Sequence, residues 1–81
     1  MEKKWYVYIL ECCDGSFYTG VTNDLDARMK AHVTGKGSKY VFQKGFKQLL
    51  KTKPCQDKSD ACKCEYVIKK LPKNQKLNWF D

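Results

Sequence analysis

Aromatic and β-branched residues are concentrated in two short segments near the start of the chain. Residues 4–11 and 16–22 have this composition, and they lie on either side of Asp14-Gly15. Two such segments separated by a glycine-containing turn are typical of a β-hairpin. The hydrophobic pattern therefore predicts that the chain begins with two antiparallel strands.

A helical period follows the hairpin. Asn23 is the predicted N-cap, Asp26 imitates the acidic member of a capping box, and Gly35 is the predicted end. We expect the apolar face of this helix to pack on the sheet. That face consists of three residues at helical spacing: Leu25, Met29 and Val33.

The second half of the chain adds a strand and further helices. A short helix is predicted to begin near Ser38, and residues 46–52 are a predicted strand between Gly45 and Pro54. Residues 59–71 are predicted to be helical up to Pro72, because proline cannot continue a helix. The predicted order is then completed by a short basic helix over residues 73–80.

The length of the hairpin loop decides where the two central tyrosines point. A two-residue loop would put Tyr8 and Tyr18 on opposite faces of the sheet, because strand side chains alternate. A three-residue loop over residues 13–15 pairs Tyr8 with Gly20 and puts both phenols on one face. Gly20 would then leave an open notch beside the phenol. Alternatively, these tyrosines are simply strand residues that pack under a helix.

Composition limits the chain to one domain over residues 1–81, with an uneven charge. The net charge is +7, of which residues 1–40 carry +1 and residues 41–81 carry +6. An excess of lysine attracts a phosphate backbone without reading its sequence, although the same excess also serves solubility. The second half is therefore the candidate surface for a polyanion.

The cysteines and the apolar segments suggest a reduced, cytoplasmic protein. Five cysteines occur at spacings unlike those of structural zinc sites, and an odd number favours free thiols. We expect most of them to be small buried residues. No apolar stretch is long enough for a bilayer and no signal peptide is visible, so no membrane association is expected.

Three polar residues are candidates for chemistry. Arg28 and His32, the single arginine and the single histidine, lie one helical turn apart and can converge on one ligand. A surface arginine and a histidine at a helix C-terminus are the alternative. Glu65 lies at the border of a buried helical stripe and therefore requires a cation, which is either Lys69 at i+4 or a metal ion.

Five elements occur in an order that resembles the GIY-YIG endonuclease superfamily. Tyr6-Val7-Tyr8 stands at the first motif, with Tyr6 in place of glycine, and Tyr18-Thr19-Gly20 stands at the second. Residues 21–32 resemble the arginine-bearing helix of the family, residues 35–40 its basic loop, and Glu65 its metal-binding glutamate. The resemblance is to the small single-domain bacterial branch (UPF0213-like), which is similar to the nuclease domain of Slx1-type endonucleases.

The resemblance implies an α+β fold with a small, mainly antiparallel three-stranded sheet flanked by helices. It also implies hydrolysis of DNA phosphodiesters with one Mg²⁺ or Mn²⁺ held by Glu65. Arg28 would then neutralise phosphoryl charge, and His32 would relay a proton or bind phosphate. Tyr8 would orient or deprotonate the attacking water, with Tyr18 as a neighbour and substitute. A phenol acts as a base near neutral pH only if positive charge strongly lowers its pKa.

The predicted substrate is DNA, either nicked or branched, and the predicted role is in repair or recombination, with or without a protein partner. The branch usually continues after Tyr40 with threonine and arginine, whereas this chain has residues 41–44 as Val-Phe-Gln-Lys. Two alternatives remain, a nucleic-acid-binding module with little catalysis and a protein-interaction adaptor. Five lysines are the predicted nucleic-acid contacts: Lys36, Lys39, Lys44, Lys47 and Lys69.

Overall fold

The structure, a computed structural model, describes residues 4–80. Residues 1–3 and 81 of the predicted domain lie outside this range. The described chain contains β1 (Trp5–Cys12), β2 (Phe17–Thr22), α1 (Leu25–Val33), α2 (Lys39–Lys44), β3 (Phe46–Cys55), α3 (Lys58–Lys70), α4 (Lys73–Lys76) and a final 3₁₀ turn (Asn78–Phe80).

The three strands form one antiparallel sheet in the order β2-β1-β3. Four consecutive residues of β1, Val7 to Leu10, are at most 1% exposed. A strand that is apolar on both faces requires cover on both, and the helices supply it. This arrangement confirms the expected fold class, an α+β fold with a small antiparallel sheet flanked by helices.

Each face of the sheet has its own apolar cluster. On one face, Val7 and Cys55 pack with Ala61 and Ile68 of α3. The cluster on the other face contains the two central tyrosines and residues of α1 and α2. Its members are Tyr8, Leu10, Cys12 and Val41, with Tyr18, Leu25, Met29 and Phe46 packed against them. The sheet therefore separates α3 from α1, which carries both Arg28 and His32, and from α2.

The hairpin has the three-residue loop that would bring the phenols together. Cys12 N–H donates to Ser16 O over 2.8 Å, and Gly15 has a φ of +86°, a left-handed conformation that favours glycine. Tyr8 is opposite Gly20 and Leu10 is opposite Tyr18. Of the two registers considered from the sequence, the structure has that of the three-residue loop, and both tyrosine rings lie on the same face.

Helix α1 differs from its prediction at both ends. Its N-cap is Asp24 rather than Asn23, and the Asp24 carboxylate accepts the Ala27 N–H over 3.1 Å. Val33, predicted to face the sheet, is 67% exposed, whereas His32 is 2% exposed. At about 100° per residue, the seventh residue after Leu25 lies about 20° from it, and the eighth lies about 80° away. His32 therefore takes the position that faces the sheet.

The later elements largely follow the pattern, with two differences. Strand β3 runs through Pro54, which is tolerated because β3 is an edge strand bonded on one side only. The predicted helix over residues 73–80 divides into α4 and the 3₁₀ turn. Trp79 and Phe80 pack against the apolar cluster that α3 forms with the sheet, here called the α3 cluster. Helix α2 begins after Ser38 as predicted.

All five cysteines are free thiols. Cys12 and Cys55 are buried and Cys64 packs against the α3 cluster, whereas Cys13 and Cys62 are exposed. Two of the five are therefore buried as expected, Cys64 is half-buried, and the expectation that most are buried is wrong. Within residues 4–80, no helix has the length and apolarity needed to cross a membrane.

Candidate functional site

Three aromatic side chains form the centre of the candidate site. The Tyr8 hydroxyl and His32 Nε2 are 3.0 Å apart and form a hydrogen bond. The Tyr18 ring lies beside both, with its centroid 6.4 Å from that of Tyr8 and 5.6 Å from that of His32. The first strand, the second strand and the end of α1 thus each contribute one ring to a single contact.

Gly20 allows the Tyr8 hydroxyl its position. A Cβ atom at residue 20 would lie 2.5 Å from the Tyr8 hydroxyl and 2.7 Å from Cζ, which is closer than side chains approach. Gly20 is buried and Tyr8 is 1% exposed, so the expected open notch is filled by the phenol itself. The prediction of an open notch is wrong because the tyrosine side chain reaches over the glycine opposite.

Burial sets the protonation states of the hydrogen-bonded pair. Burial, with Tyr18 beside it, raises the pKa of Tyr8 far above its ordinary value, and the Arg28 charge lowers it only in part. Burial and the Arg28 charge lower the pKa of His32. Both groups are therefore neutral near pH 7. The lowered pKa that would make Tyr8 a base is not present in this structure.

The loop after α1 holds Arg28 and His32 in place. Arg28 Nη1 donates to Gly37 O over 3.3 Å, and the Lys36 N–H donates to Ala31 O over 2.8 Å, which folds the loop back onto the helix. A Cβ atom at Gly37 would lie 2.6 Å from His32 Nδ1, so a larger residue would displace the imidazole. Among the described residues, that buried Nδ1 has no hydrogen-bond partner.

Glu65 lies on α3, with its side chain 25% exposed. Its carboxylate lies 3.6 Å from Lys69 Nζ, so the i,i+4 ion pair considered from the sequence is present. The Glu65 charge also contributes to raising the pKa of Tyr8, as the Arg28 charge contributes to lowering it. Both charges therefore lie within electrostatic range of the Tyr8 hydroxyl, although they come from helices on opposite faces of the sheet.

The donor set around Glu65 is compatible with magnesium. Within residues 4–80 there is no cluster of three or more histidine, cysteine, aspartate or glutamate side chains that could hold a metal ion. Mg²⁺ usually keeps several water ligands and binds through one or two carboxylates together with substrate phosphates. A single carboxylate therefore fits this ion better than it fits Zn²⁺, which requires several protein ligands.

Three of the five lysines predicted to contact nucleic acid are in ion pairs. Lys44 pairs with Asp14 at 3.4 Å and Lys47 pairs with Glu11 at 3.8 Å, in addition to the Lys69 pair. These lysine side chains are 44 to 57% exposed, and exposed ion pairs contribute little stability. These ion pairs therefore hold the three lysines only weakly. Lys36 and Lys39 are exposed on the loop and at the start of α2.

Three residues of the site were not singled out from the sequence. Tyr40 stacks on Tyr18 with ring centroids 6.0 Å apart, and Phe46 stacks on His32 at 6.2 Å. Gly37 is the third, through its contacts with Arg28 and His32. The sequence signal that could have indicated Gly37 is its position, since it is a second glycine two residues after the helix-ending Gly35. Burial accounts for part of the departure after Tyr40, because Val41 is 0% exposed and belongs to the core, whereas Phe42 is 68% exposed.

Comparison with known proteins supports the resemblance to the GIY-YIG superfamily. The family model described as the GIY-YIG catalytic domain matches residues 4–78. A UPF0213 protein of Oceanobacillus iheyensis is 48% identical over 81 residues, covering 100% of this chain and 94% of that protein. A UPF0213 protein of Xanthomonas axonopodis pv. citri is 40% identical over 78 residues, covering 96% of this chain and 76% of that protein.

A solved structure agrees with the fold. The solution NMR structure of a UPF0213 protein from Bacillus halodurans is 45% identical and superimposes with a TM-score of 0.58, covering 94% of this chain and 81% of that chain. A GIY-YIG domain implies nuclease activity and a nucleic-acid substrate. Since the family model and the aligned relatives extend over nearly all of the sequence, the chain belongs to the GIY-YIG nuclease family, in its UPF0213 branch.

Proposed function

We propose that the protein is a metal-dependent DNA endonuclease that hydrolyses phosphodiester bonds in nicked or branched DNA during repair or recombination. One observation carries the proposal. A guanidinium on α1 and a carboxylate on α3 both lie within electrostatic range of a cluster of two tyrosines and a histidine. An aromatic cluster with one cationic and one anionic group near it supports the proposal.

Arg28 is the proposed phosphate ligand. A guanidinium has five N–H donors in a planar fork, and one of those on Arg28 is directed to Gly37 O. The remaining donors can bind two oxygens of one phosphate. The charge of Arg28 would stabilise the negative charge that develops on those oxygens in the transition state. The backbone bond to Gly37 fixes the side chain before the substrate binds.

Tyr18 is the proposed phenol that contacts the attacking water. It is only partly buried, whereas the Tyr8 hydroxyl is buried and bonded to His32. In this proposal, the hydrogen bond from Tyr8 fixes the His32 ring, and both rings pack against the Tyr18 ring and fix its position. Tyr18 would orient the water through its hydroxyl oxygen, with the proton leaving to solvent or to a phosphate oxygen. Tyr8 and His32 then contribute by positioning.

Glu65 is the proposed ligand of Mg²⁺ or Mn²⁺. When bound, such an ion polarises the phosphate and stabilises the departing oxygen. The Lys69 pair does not prevent this, because an exposed i,i+4 pair contributes only about 0.3 to 0.5 kcal/mol. Lys69 would then be released to contact a neighbouring phosphate. Phosphate oxygens and water would supply the other ligand positions.

The test is cleavage of nicked, flapped and branched DNA by the pure protein with Mg²⁺, with Mn²⁺ and with EDTA. We expect cleavage that EDTA abolishes and that Glu65→Ala lowers by roughly a hundredfold or more, since the substitution removes a charge-stabilising group. Arg28→Lys keeps the charge but loses the fork, and it should also be impaired. Tyr66→Ala, next to Glu65 but 61% exposed, is the matched control and should cleave normally. Cleavage that persists in EDTA or in Glu65→Ala contradicts the proposal.

A nucleic-acid-binding module with little catalysis is the second candidate. The observations that favour it are the buried Tyr8 hydroxyl and the pairing of Glu65 with Lys69. It predicts salt-sensitive DNA binding that responds neither to Mg²⁺ nor to Glu65→Ala. Binding without cleavage in the same experiment would support this candidate over the first.

A further inference from the structure

A hollow of about 290 Å³ adjoins the candidate site at the edge of the sheet. It lies where the beginning of β2 meets α2 and the last turn of α3. Tyr18 is shared between this hollow and the aromatic cluster, and Lys69, the partner of Glu65, lies on its far side. Six residues line it: Phe17, Tyr18, Thr19, Tyr40, Lys69 and Lys76.

An accessible aromatic ring forms one wall of the hollow. The Tyr40 ring stacks on Tyr18 with an interplanar angle of 25°, yet Tyr40 is 41% exposed. The next residue, Val41, is fully buried and anchors α2, so the backbone that carries Tyr40 is fixed. Lys44 Nζ lies over this ring, 6.0 Å from its centroid, and the Lys44 side chain is 44% exposed. A planar group that stacks on the ring would take the place of this exposed ammonium group.

Two lysines line the same hollow as this ring. Lys76 Nζ donates to Ile68 O over 2.8 Å, which fixes the ammonium group at the C-terminal end of α3. Lys69 is 56% exposed on the same side. An aromatic surface in the same hollow as ammonium groups is the combination by which proteins hold single-stranded nucleic acid, with bases stacked on rings and phosphates near lysines.

We propose that this hollow binds an unpaired nucleobase of the DNA strand that lies next to the scissile phosphate, stacked on Tyr40. The inference rests on the proposed nuclease function and specifies its substrate. A base within a duplex has both faces covered by neighbouring bases, so only a base outside the stack can present a face to the ring. The site then selects DNA in which single-stranded nucleotides flank the cleavage point, such as flaps and branches.

Binding is measured in EDTA, so that cleavage plays no part. The probe is a single-stranded DNA oligonucleotide carrying 2-aminopurine at successive positions, whose fluorescence falls when the base stacks. We expect quenching at one position with the parent protein and its loss with Tyr40→Leu, which keeps an apolar side chain without a ring. Tyr40→Phe keeps the ring and should retain quenching. Tyr66→Ala, which removes an exposed tyrosine from α3, is the matched control.

Affinity provides the second measurement. Stacking of one base on an aromatic ring corresponds to roughly a 5- to 150-fold change in dissociation constant, and we expect Tyr40→Leu to weaken single-strand binding by about tenfold. An abasic nucleotide at the quenched position should weaken parent binding similarly and add little to the loss in Tyr40→Leu. Circular dichroism is used to check that each variant is folded. If Tyr40→Leu does not fold, the intact and abasic strands are compared with the parent and with Tyr40→Phe instead.

The outcomes separate the inference from the proposed function. Quenching and affinity that are equal in Tyr40→Leu, Tyr66→Ala and the parent would overturn the inference, even if the parent cleaves DNA. A parent whose affinity is the same for intact and abasic strands would overturn it as well. Conversely, Tyr40-dependent quenching by a protein that cleaves no DNA would support the base-binding hollow and contradict the nuclease proposal.

Discussion

Replacement of Gly20 by alanine tests the close approach on which the geometry of the site depends. The added methyl group would lie 2.5 Å from the Tyr8 hydroxyl, whereas uncharged atoms pack best at about 3.5 to 4.0 Å. The phenol must therefore move by about 1 Å. Tyr8 is 1% exposed and has no free space to turn into, so its 3.0 Å bond to His32 would break.

The expected destabilisation combines two contributions. Inserting a methyl group into a filled site costs about 1 to 3 kcal/mol. Loss of the hydrogen bond between two buried groups costs about 1 kcal/mol more. For a domain of this size, each kcal/mol lowers Tm by about 4 to 8 °C, so the combined loss lowers Tm by roughly 10 to 30 °C.

The assay is thermal unfolding followed by circular dichroism, together with DNA cleavage well below Tm. Gly15→Ala is the matched control in the same hairpin. A Cβ atom at Gly15 would have no neighbour within 4 Å, but the φ of +86° makes alanine unfavourable there. We expect Gly15→Ala to lose about 1 to 2 kcal/mol of stability and to keep full cleavage once folded. Gly20→Ala should lose both.

The double variant Tyr8→Phe/Gly20→Ala adds a coupling measurement. Removing the hydroxyl removes the 2.5 Å contact and leaves the 2.7 Å contact with Cζ, so the two changes should cost less together than the sum of each alone. A Gly20→Ala protein with the Tm and the cleavage rate of the parent would refute the close approach. Strict additivity in the double variant would also refute it.

Three further predictions concern the loop and the charges around it. Gly37→Ala should displace His32, cost about 1 to 3 kcal/mol in denaturant unfolding and impair cleavage, and an unchanged protein would contradict the 2.6 Å approach to Nδ1. Because the folded-state pKa of His32 is lowered, the unfolded chain takes up a proton first, so stability should fall as pH drops below about 6.5. This pH dependence should disappear in His32→Ala. Lys39→Gln should reduce the slope of log affinity against log salt by about 0.9, whereas Lys63→Gln, on the exposed side of α3, should leave it unchanged.

Much of the fold could be predicted because local chemistry and hydrophobic period agree along this chain. Gly15 made a three-residue loop possible, and of the two loop lengths considered only that one places Tyr8 opposite Gly20. The sequence therefore limited the register to two alternatives, and the structure decided between them. Helix α3 is likewise defined by its apolar stripe and by Pro72. The assignment of Val33 rather than His32 to the buried face failed because a spacing of four residues drifts from the true helical period over two turns.

The sequence by itself determined the order of the elements, the family, and which residue types could act on a phosphate. Only the tertiary structure decided the environment of those residues. Tyr8 is a buried, neutral partner of His32 because the chain folds a glycine against its hydroxyl and covers both with α1. Tyr40 joins Tyr18 for the same reason, since α2 and β2 meet only in three dimensions. Burial and pKa depend on contacts between segments distant in sequence, and no local pattern encodes them.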